Sequence, residues 1–279
     1  MRVLVFMVRA ATALVEQTAR YLAQVQVFLY GLLPALLSPD ELHRLTRRYY
    51  DTSYRDIEHR YPESAHKWTL EPWEERVLSR SILERHTVLV LGAGVGRESI
   101  ALAQRGCTVI GLDINRDGLM MARGRATRQG ASPTFLQADF LAVPLHLRQV
   151  EAILLSGVMY SAIPGRRRRQ NCLRQYCALL KPGGTIVLNF VVARWPETTM
   201  QRRVHTWAAW LRRLPWSNHE SQPGDACTNG HFMHVFTDDV EFRHELEEAG
   251  LSLVELDWHE AYAVVRDAHP GGGSRQSEK

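Results

Sequence analysis

The stretch Val88–Glu98, VLVLGAGVGRE, constrains this chain more than any other. A run of β-branched and leucine residues stops at three alternating glycines, Gly92, Gly94 and Gly96, and the residues after them, Arg97–Gln104, have the pattern of a helix. That is a buried strand turning sharply into a helix. Glycine supplies backbone angles that a Cβ forbids, and it lets the main chain approach a ligand at the mouth of a parallel sheet. The loop therefore reads as a cradle for a nucleotide or nucleoside.

The dinucleotide fingerprint is G-x-G-x-x-G, and Arg97 stands where its third glycine would be, which argues against a nicotinamide-dependent oxidoreductase. A second strand, Thr108–Leu112, ends in Asp113, at a distance suited to a carboxylate that accepts both ribose hydroxyls of a nucleoside. A third, Thr134–Gln137, leads into Ala138-Asp139-Phe140. A fourth, Glu151–Leu155, runs into Ser156-Gly157-Val158-Met159-Tyr160. A helix closing at Leu180-Lys181-Pro182-Gly183-Gly184 precedes an apolar fifth strand, Thr185–Val192. A helix over Asp238–Ala249, capped by Thr237 and stopped by Gly250, leads to a hairpin of Leu251–Asp257 and Glu260–Arg266.

This order, together with GAGVG, GLDIN, QADF and LKPGG, resembles the class I S-adenosylmethionine-dependent methyltransferases of small-molecule type over roughly Val88–Arg266. The resemblance implies an α/β, Rossmann-like fold: a seven-stranded, mostly parallel sheet of order 3-2-1-4-5-7-6, the last strand antiparallel, flanked by helices. It implies S-adenosylmethionine as cofactor. Gly92, Ala93, Gly94 and Gly96 would pass under its methionine part, Asp113 would hold the ribose and Ile114 would lie against the adenine. Asp139 would face the adenine amino group with Phe140 beside the ring, and Ser156-Gly157 would border the sulfonium. The family often has an acid two residues before the first glycine. Val90 stands there, so Glu98 or a group from the N-terminal segment would have to orient the cofactor's ammonium.

The rest of the chain divides into an N-terminal extension over 1–86, a domain over 87–268 and a glycine-rich tail, 269–279, expected to be disordered. In residues 1–37, Leu4, Val8, Ala11, Val15, Leu22, Val25, Leu29 and Leu32 recur at helical spacing with few charges. Three readings stay open: a membrane span, which Gln24, Gln26 and Pro34 make a poor one; an interfacial helix in peripheral contact with a membrane; or a helix packed on the domain or on a second subunit, as in a homodimer. Residues 38–86 read as a cover for cofactor and substrate, with Tyr50 of YYDTSY, residues 49–54, a candidate to touch either; Trp68 and Trp73 flank Glu71-Pro72 ahead of a helix to Arg85.

The net charge of +4 rests on 34 basic residues against 30 acidic ones, and it is too mild to argue for a nucleic-acid partner. Cys107, Cys172, Cys177 and Cys227 form no CxxC pair and no metal-like spacing with histidine, which fits reduced thiols, no metal site and a cytoplasmic protein. Arg166-Arg167-Arg168-Arg169 begins a helix at the end where positive charge opposes the macrodipole, and reads as a solvated face or as a patch for anionic lipid or an acidic partner.

The 44 residues Ala193–Phe236 exceed what a connection after strand five needs. They read as a lid over a small-molecule substrate, with a helix at Glu197–Leu214. The approach to the next helix, His231-Phe232-Met233-His234-Val235-Phe236-Thr237, is similar to segments that line the acceptor pocket in small-molecule methyltransferases. Tyr160, His231 and His234 are thus the candidate catalytic residues, the histidines as proton acceptors. The acceptor is expected to be small and fairly apolar, or, for a membrane-associated enzyme, a lipid, prenyl or quinone-like compound. A cofactor-binding scaffold without transfer activity is the reading from another class.

Overall fold

A computed structural model of the chain describes residues 2–53, 69–146, 149–228 and 230–268. Tyr54, Trp68 and the tail lie outside the described residues. Helix α1 (Arg2–Leu36) and α2 (Pro39–Ser53) precede α3 (Pro72–Ser81), followed by β1 (Thr87–Leu91), α4 (Arg97–Gln104), β2 (Thr108–Asp113), α5 (Arg116–Arg128) and β3 (Thr134–Gln137). Then come β4 (Val150–Leu155), α6 (Arg166–Leu179), β5 (Leu180–Asn189), β6 (Val191–Val192), α7 (Thr199–Leu211), β7 (Asp225–Thr228), β8 (His231–Phe236), α8 (Asp239–Glu248), β9 (Leu251–Asp257) and β10 (Tyr262–Asp267).

The main sheet has the order β3-β2-β1-β4-β5-β10-β9, with β10 antiparallel to both its neighbours and the first five strands parallel. This is the expected Rossmann-like sheet. Its central strands are apolar on both faces, as a sheet covered by helices on each side requires. Leu89 and Leu91 of β1 join a core with Leu173 and Tyr176 of α6 and Phe242 and Leu246 of α8. Val88 and Val90 face the other way, into a core with Ile100 of α4, Leu119 of α5, and Val77 and Leu78 of α3. Helix α3 thus belongs to the packing of the sheet rather than to a separate cover.

Several boundaries differ from the sequence reading. Leu180 already pairs with Val150, so Lys181-Pro182-Gly183-Gly184 lies inside β5, and the register shift between Val150 and Ala152 absorbs it. Val191–Val192 leaves the main sheet for a second one, β6-β8-β7, which the sequence reading did not anticipate. The cap of α8 is Asp238, whose side chain accepts the Glu241 N–H, because its carboxylate can reach the third amide of the first turn and Thr237 stands one residue too early. The lid helix α7 starts two residues later than expected, at a capping box in which Thr198 and Gln201 satisfy one another's amides.

The C-terminal part of α1 packs on α7 and β7, with Gly31 against Val204. Among the described residues no helix is long and apolar enough to cross a membrane. The arginine run is neither a solvated face nor a lipid patch. Arg169 is fully buried in a two-pronged ion pair with Glu245 of α8, Arg166 pairs with Glu248, and Arg168 with Asp40 of α2; Arg167 alone stays exposed. These pairs tie α6 to α8 and α2, which outweighs the unfavourable placement of the run at a helix N-terminus.

Candidate functional site

At the end of β1 the chain turns through Gly92, Gly94 and Gly96, with φ of +76°, +51° and +85°. A Cβ on Gly92 would stand 2.6 Å from Met159 Cγ, and one on Gly96 2.8 Å from Ala122 Cβ, so the turn needs glycine for conformation and for closeness alike. Asp113, at the end of β2, accepts the Gly94 N–H on one oxygen and the Asn115 N–H on the other, both at 2.8 Å. Burial pushes its pKa up against these bonds. A carboxylate held this way fixes the loop to the second strand and keeps lone pairs for a ligand hydroxyl. Ile114 follows it, half-buried beside the same edge.

On the other side of the loop, Glu98 is buried and accepts from Ser156 Oγ at 2.6 Å and from Arg97 at 2.7 Å. Arg97 also grips Glu74 through two nitrogens, at 2.5 and 2.7 Å. Burial raises the pKa of Glu74 despite the guanidinium beside it. Two carboxylates share one arginine, so the cluster carries a surplus of negative charge next to the glycine loop, where Val90 is buried in the core and supplies none. Ser156 is fixed by its N–H to Leu91 O at 2.9 Å, and Gly157 follows with φ of +54°.

Helix α2 closes the cradle. His43, Arg47 and Tyr50 share one face at i, i+4 and i+7. His43 Nε2 lies 2.9 Å from Asp139, with Arg47 3.8 Å from the same oxygen, and the other Asp139 oxygen accepts the Leu141 N–H. Burial works to raise the pKa of Asp139, and these partners hold it below the usual carboxylate range. Phe140 begins the short turn beyond it and its carbonyl accepts the Tyr176 hydroxyl at 3.0 Å. Asn115, which caps α5, donates to the carbonyls of Tyr50 and Asp51 at 3.2 and 3.1 Å. Burial pushes the Tyr50 phenol up to about 12, so it keeps its proton at neutral pH.

The same helix reaches the second sheet. Tyr49 stacks on His231 with ring centroids 4.3 Å apart, and Thr46 Oγ1 accepts the Phe232 N–H. Burial lowers the pKa of His231, and its Nδ1 is buried with no hydrogen-bond partner among the described residues. It is a neutral imidazole at neutral pH.

The other two candidate catalytic residues are corrected. Tyr160 is fully buried between Phe236 and Phe242, and its hydroxyl donates to Glu245 in the Arg169 pair, so it faces the core. His234 is equally buried, with Nδ1 2.7 Å from Asp225 and Nε2 3.1 Å from Glu241. Burial and nearby Arg169 oppose a charge on that ring, the two carboxylates outweigh them, and its pKa is raised. With both nitrogens engaged it has none to offer a substrate. The alternation along β8 explains the difference: His231, Met233 and Val235 point to one face, and Phe232, His234 and Phe236 to the other.

A cavity of about 690 Å³ lies between α1, α7 and the second sheet, lined mainly by apolar atoms, Val27, Val192, Trp195 and Val204 among them. Val235, on the His231 face, lines it, and so does Thr228, which pairs with His231 across β7 and β8. The cavity therefore borders the strand pair that carries His231.

Residues 88–184 match the family model of a methyltransferase domain. Over that stretch, about a third of the chain, the sequence is similar to a methyltransferase domain. An uncharacterised protein of Mycobacterium tuberculosis is 31% identical over 100 residues, which are 36% of this chain and 35% of that protein, so the chain matches about a third of the relative's length. Among solved structures, the Burkholderia thailandensis 1,6-didemethyltoxoflavin-N1-methyltransferase with bound 1,6-didemethyltoxoflavin and S-adenosylhomocysteine superposes with a TM-score of 0.58 at 16% identity, over 83% of this chain and 91% of that one. The CcbJ methyltransferase of Streptomyces caelestis gives 0.56 at 18%, over 78% and 98%. At such identities the likeness is one of fold.

Glu74, His43 and Asn115 escaped the sequence reading. The i, i+4, i+7 spacing of His43, Arg47 and Tyr50 was the available signal for α2; nothing local marked Glu74, which reaches the loop only through the packing of α3.

Proposed function

We propose that the chain transfers a methyl group from S-adenosylmethionine to a small, fairly apolar acceptor held in the cavity under the lid. The observation that carries this reading is the placement of α2, which bonds to Asn115 and Asp139 on the cradle side and stacks on His231 of the second sheet. Bound in the cradle, the cofactor supplies a methyl group already activated by its sulfonium. What remains for the protein is alignment and, for a protonated acceptor, removal of one proton.

The residues divide that work. Gly92, Gly94 and Gly96 leave room beneath the methionine part, and the surplus charge of Glu98 and Glu74 attracts its ammonium. Asp113 takes the ribose hydroxyls, Ile114 and Phe140 flank the adenine, and Asp139 meets its amino group. His231, kept neutral by burial and stacked on Tyr49, is the residue assigned to take the acceptor's proton. A lipid, prenyl or quinone-like acceptor is the second reading, favoured by exposed Trp195, Trp207, Trp210 and Trp216 on the lid.

The test is transfer of isotope-labelled methyl from S-adenosylmethionine to a panel of small apolar phenols and amines and to a prenylated quinone in micelles. Label in a small acceptor supports the proposal, and label confined to the quinone selects the second reading. No transfer to any of them, together with absence of cofactor binding, refutes both.

A further inference from the structure

Helix α1 extends far beyond the part that packs on the lid. From residue 7 to residue 24 every described side chain is exposed. Five large apolar ones, Met7, Leu14, Val15, Leu22 and Leu29, are 57–66% exposed. Surface this apolar on a protein marks an interaction site.

The spacing says which kind. Leu4, Val8, Ala11, Val15, Thr18, Leu22, Val25, Leu29 and Leu32 are separated alternately by four and three residues over residues 4–32, a heptad seam broken in polarity only by Thr18. A repeat of 3.5 residues sustained over three to four heptads is the pattern of a helix that wraps a second helix. The lid reaches the seam only near its C-terminal end, where Val25 lies beside Met200, Arg203 and Trp207 of α7, while Val15, Leu22 and Leu29 stay exposed.

Charge selects the occupant. The positions that border the seam, Thr12, Leu14, Ala19, Tyr21, Gln26 and Phe28, carry none, so an identical helix brought alongside meets no like charge. Arg9, Glu16 and Arg20 fall about 140–180° around the helix from the seam, at 100° per residue. An interfacial helix on anionic lipid keeps its cations where the polar face meets the headgroups, and an apolar stripe with its arginines directed away lacks that arrangement.

We propose that α1 is the dimerisation element of this protein, pairing through the seam Ala11–Leu29 with α1 of a second copy. A closed pair of this kind is isologous, each seam covering its twin. That stretch spans about 28 Å of helix at 1.5 Å per residue.

Sedimentation equilibrium on the full chain over micromolar concentrations tests this, alongside the double variant Val15→Glu/Leu22→Glu and the outer-face variant Glu16→Gln. Glutamate is a good helix former, so circular dichroism should report unchanged helix content in the double variant. The expected result is twice the monomer mass for the wild type and for Glu16→Gln, and monomer for the double variant. A wild type that stays monomeric, or a dimer that survives the double variant, overturns the proposal. So does a monomer that floats with phosphatidylglycerol vesicles and loses that flotation in the double variant, since the seam then faces a membrane.

Discussion

Replacing Tyr160 by phenylalanine separates a structural role from a catalytic one. Its hydroxyl, in the middle of the core, donates to Glu245, which also takes two bonds from Arg169 at 2.7 Å each. Removing the hydroxyl leaves that carboxylate paired, so the cost is one hydrogen bond to a charged group, about 1.5–3 kcal/mol. Glu245→Gln takes the charged partner from the guanidinium of Arg169, which is fully buried with Gln222 at 3.3 Å, Ile163 O at 3.5 Å and the Phe236 ring as its further partners among the described residues, and should cost about 3–5 kcal/mol. The assay is thermal and urea unfolding, where each kcal/mol moves the midpoint by roughly 2–4 °C in a domain of this size, combined with S-adenosylhomocysteine affinity. Tyr160→Phe should lower stability less than Glu245→Gln and leave affinity and turnover within about twofold of wild type once both proteins are folded. A Tyr160→Phe protein of wild-type stability with turnover reduced a hundredfold would refute the placement of this hydroxyl outside the reaction.

Three further outcomes follow from the geometry. Asp113→Ala removes the bonds that hold Gly94 and Asn115 as well as the ribose acceptor, so affinity for S-adenosylhomocysteine should fall at least about tenfold, or 1.4 kcal/mol, by calorimetry; wild-type affinity would remove the carboxylate from the site. His231→Ala should cost roughly 10²–10⁴ in turnover of a protonated acceptor, and the acidic limb of the wild-type profile should lie below the usual histidine value of 6.5, since burial lowers its pKa; a limb above 6.5, or a loss under tenfold, contradicts its role as base. His234 has its pKa raised above 6.5, so its protonated form stabilises the fold fully below that pH, and this contribution is lost as pH rises through the raised value. The gap in unfolding midpoint between wild type and His234→Gln should therefore shrink from pH 6 upward, and a gap that widens would reverse the assignment.

The strands were legible in the sequence because they are continuous apolar runs bounded by glycine and aspartate, and their order came from the resemblance carried by GAGVG, GLDIN, QADF and LKPGG. The glycine loop and Asp113 were legible for the same reason: their chemistry is local. The roles of Tyr160 and His234 were not, because a tyrosine or histidine near a ligand edge looks the same in sequence whether it points to the cavity or the core. That choice was made by the alternation of β8 and by Arg169, Glu245, Asp225 and Glu241, partners scattered over three elements. The second sheet was hidden by shortness: β6 has two residues and β7 four, too few to show a period. In α1 the heptad was present in the sequence, and only the exposure of Val15, Leu22 and Leu29 reveals that the domain leaves it uncovered.

The most direct measurement is calorimetric titration of the purified protein with S-adenosylmethionine and S-adenosylhomocysteine, with NADH as the contrasting ligand. The cradle of Gly92, Gly94, Gly96, Asp113 and Glu98 predicts micromolar binding of both sulfur nucleosides and none of NADH. Absence of binding by either sulfur nucleoside, or preference for NADH, would contradict the account at its centre.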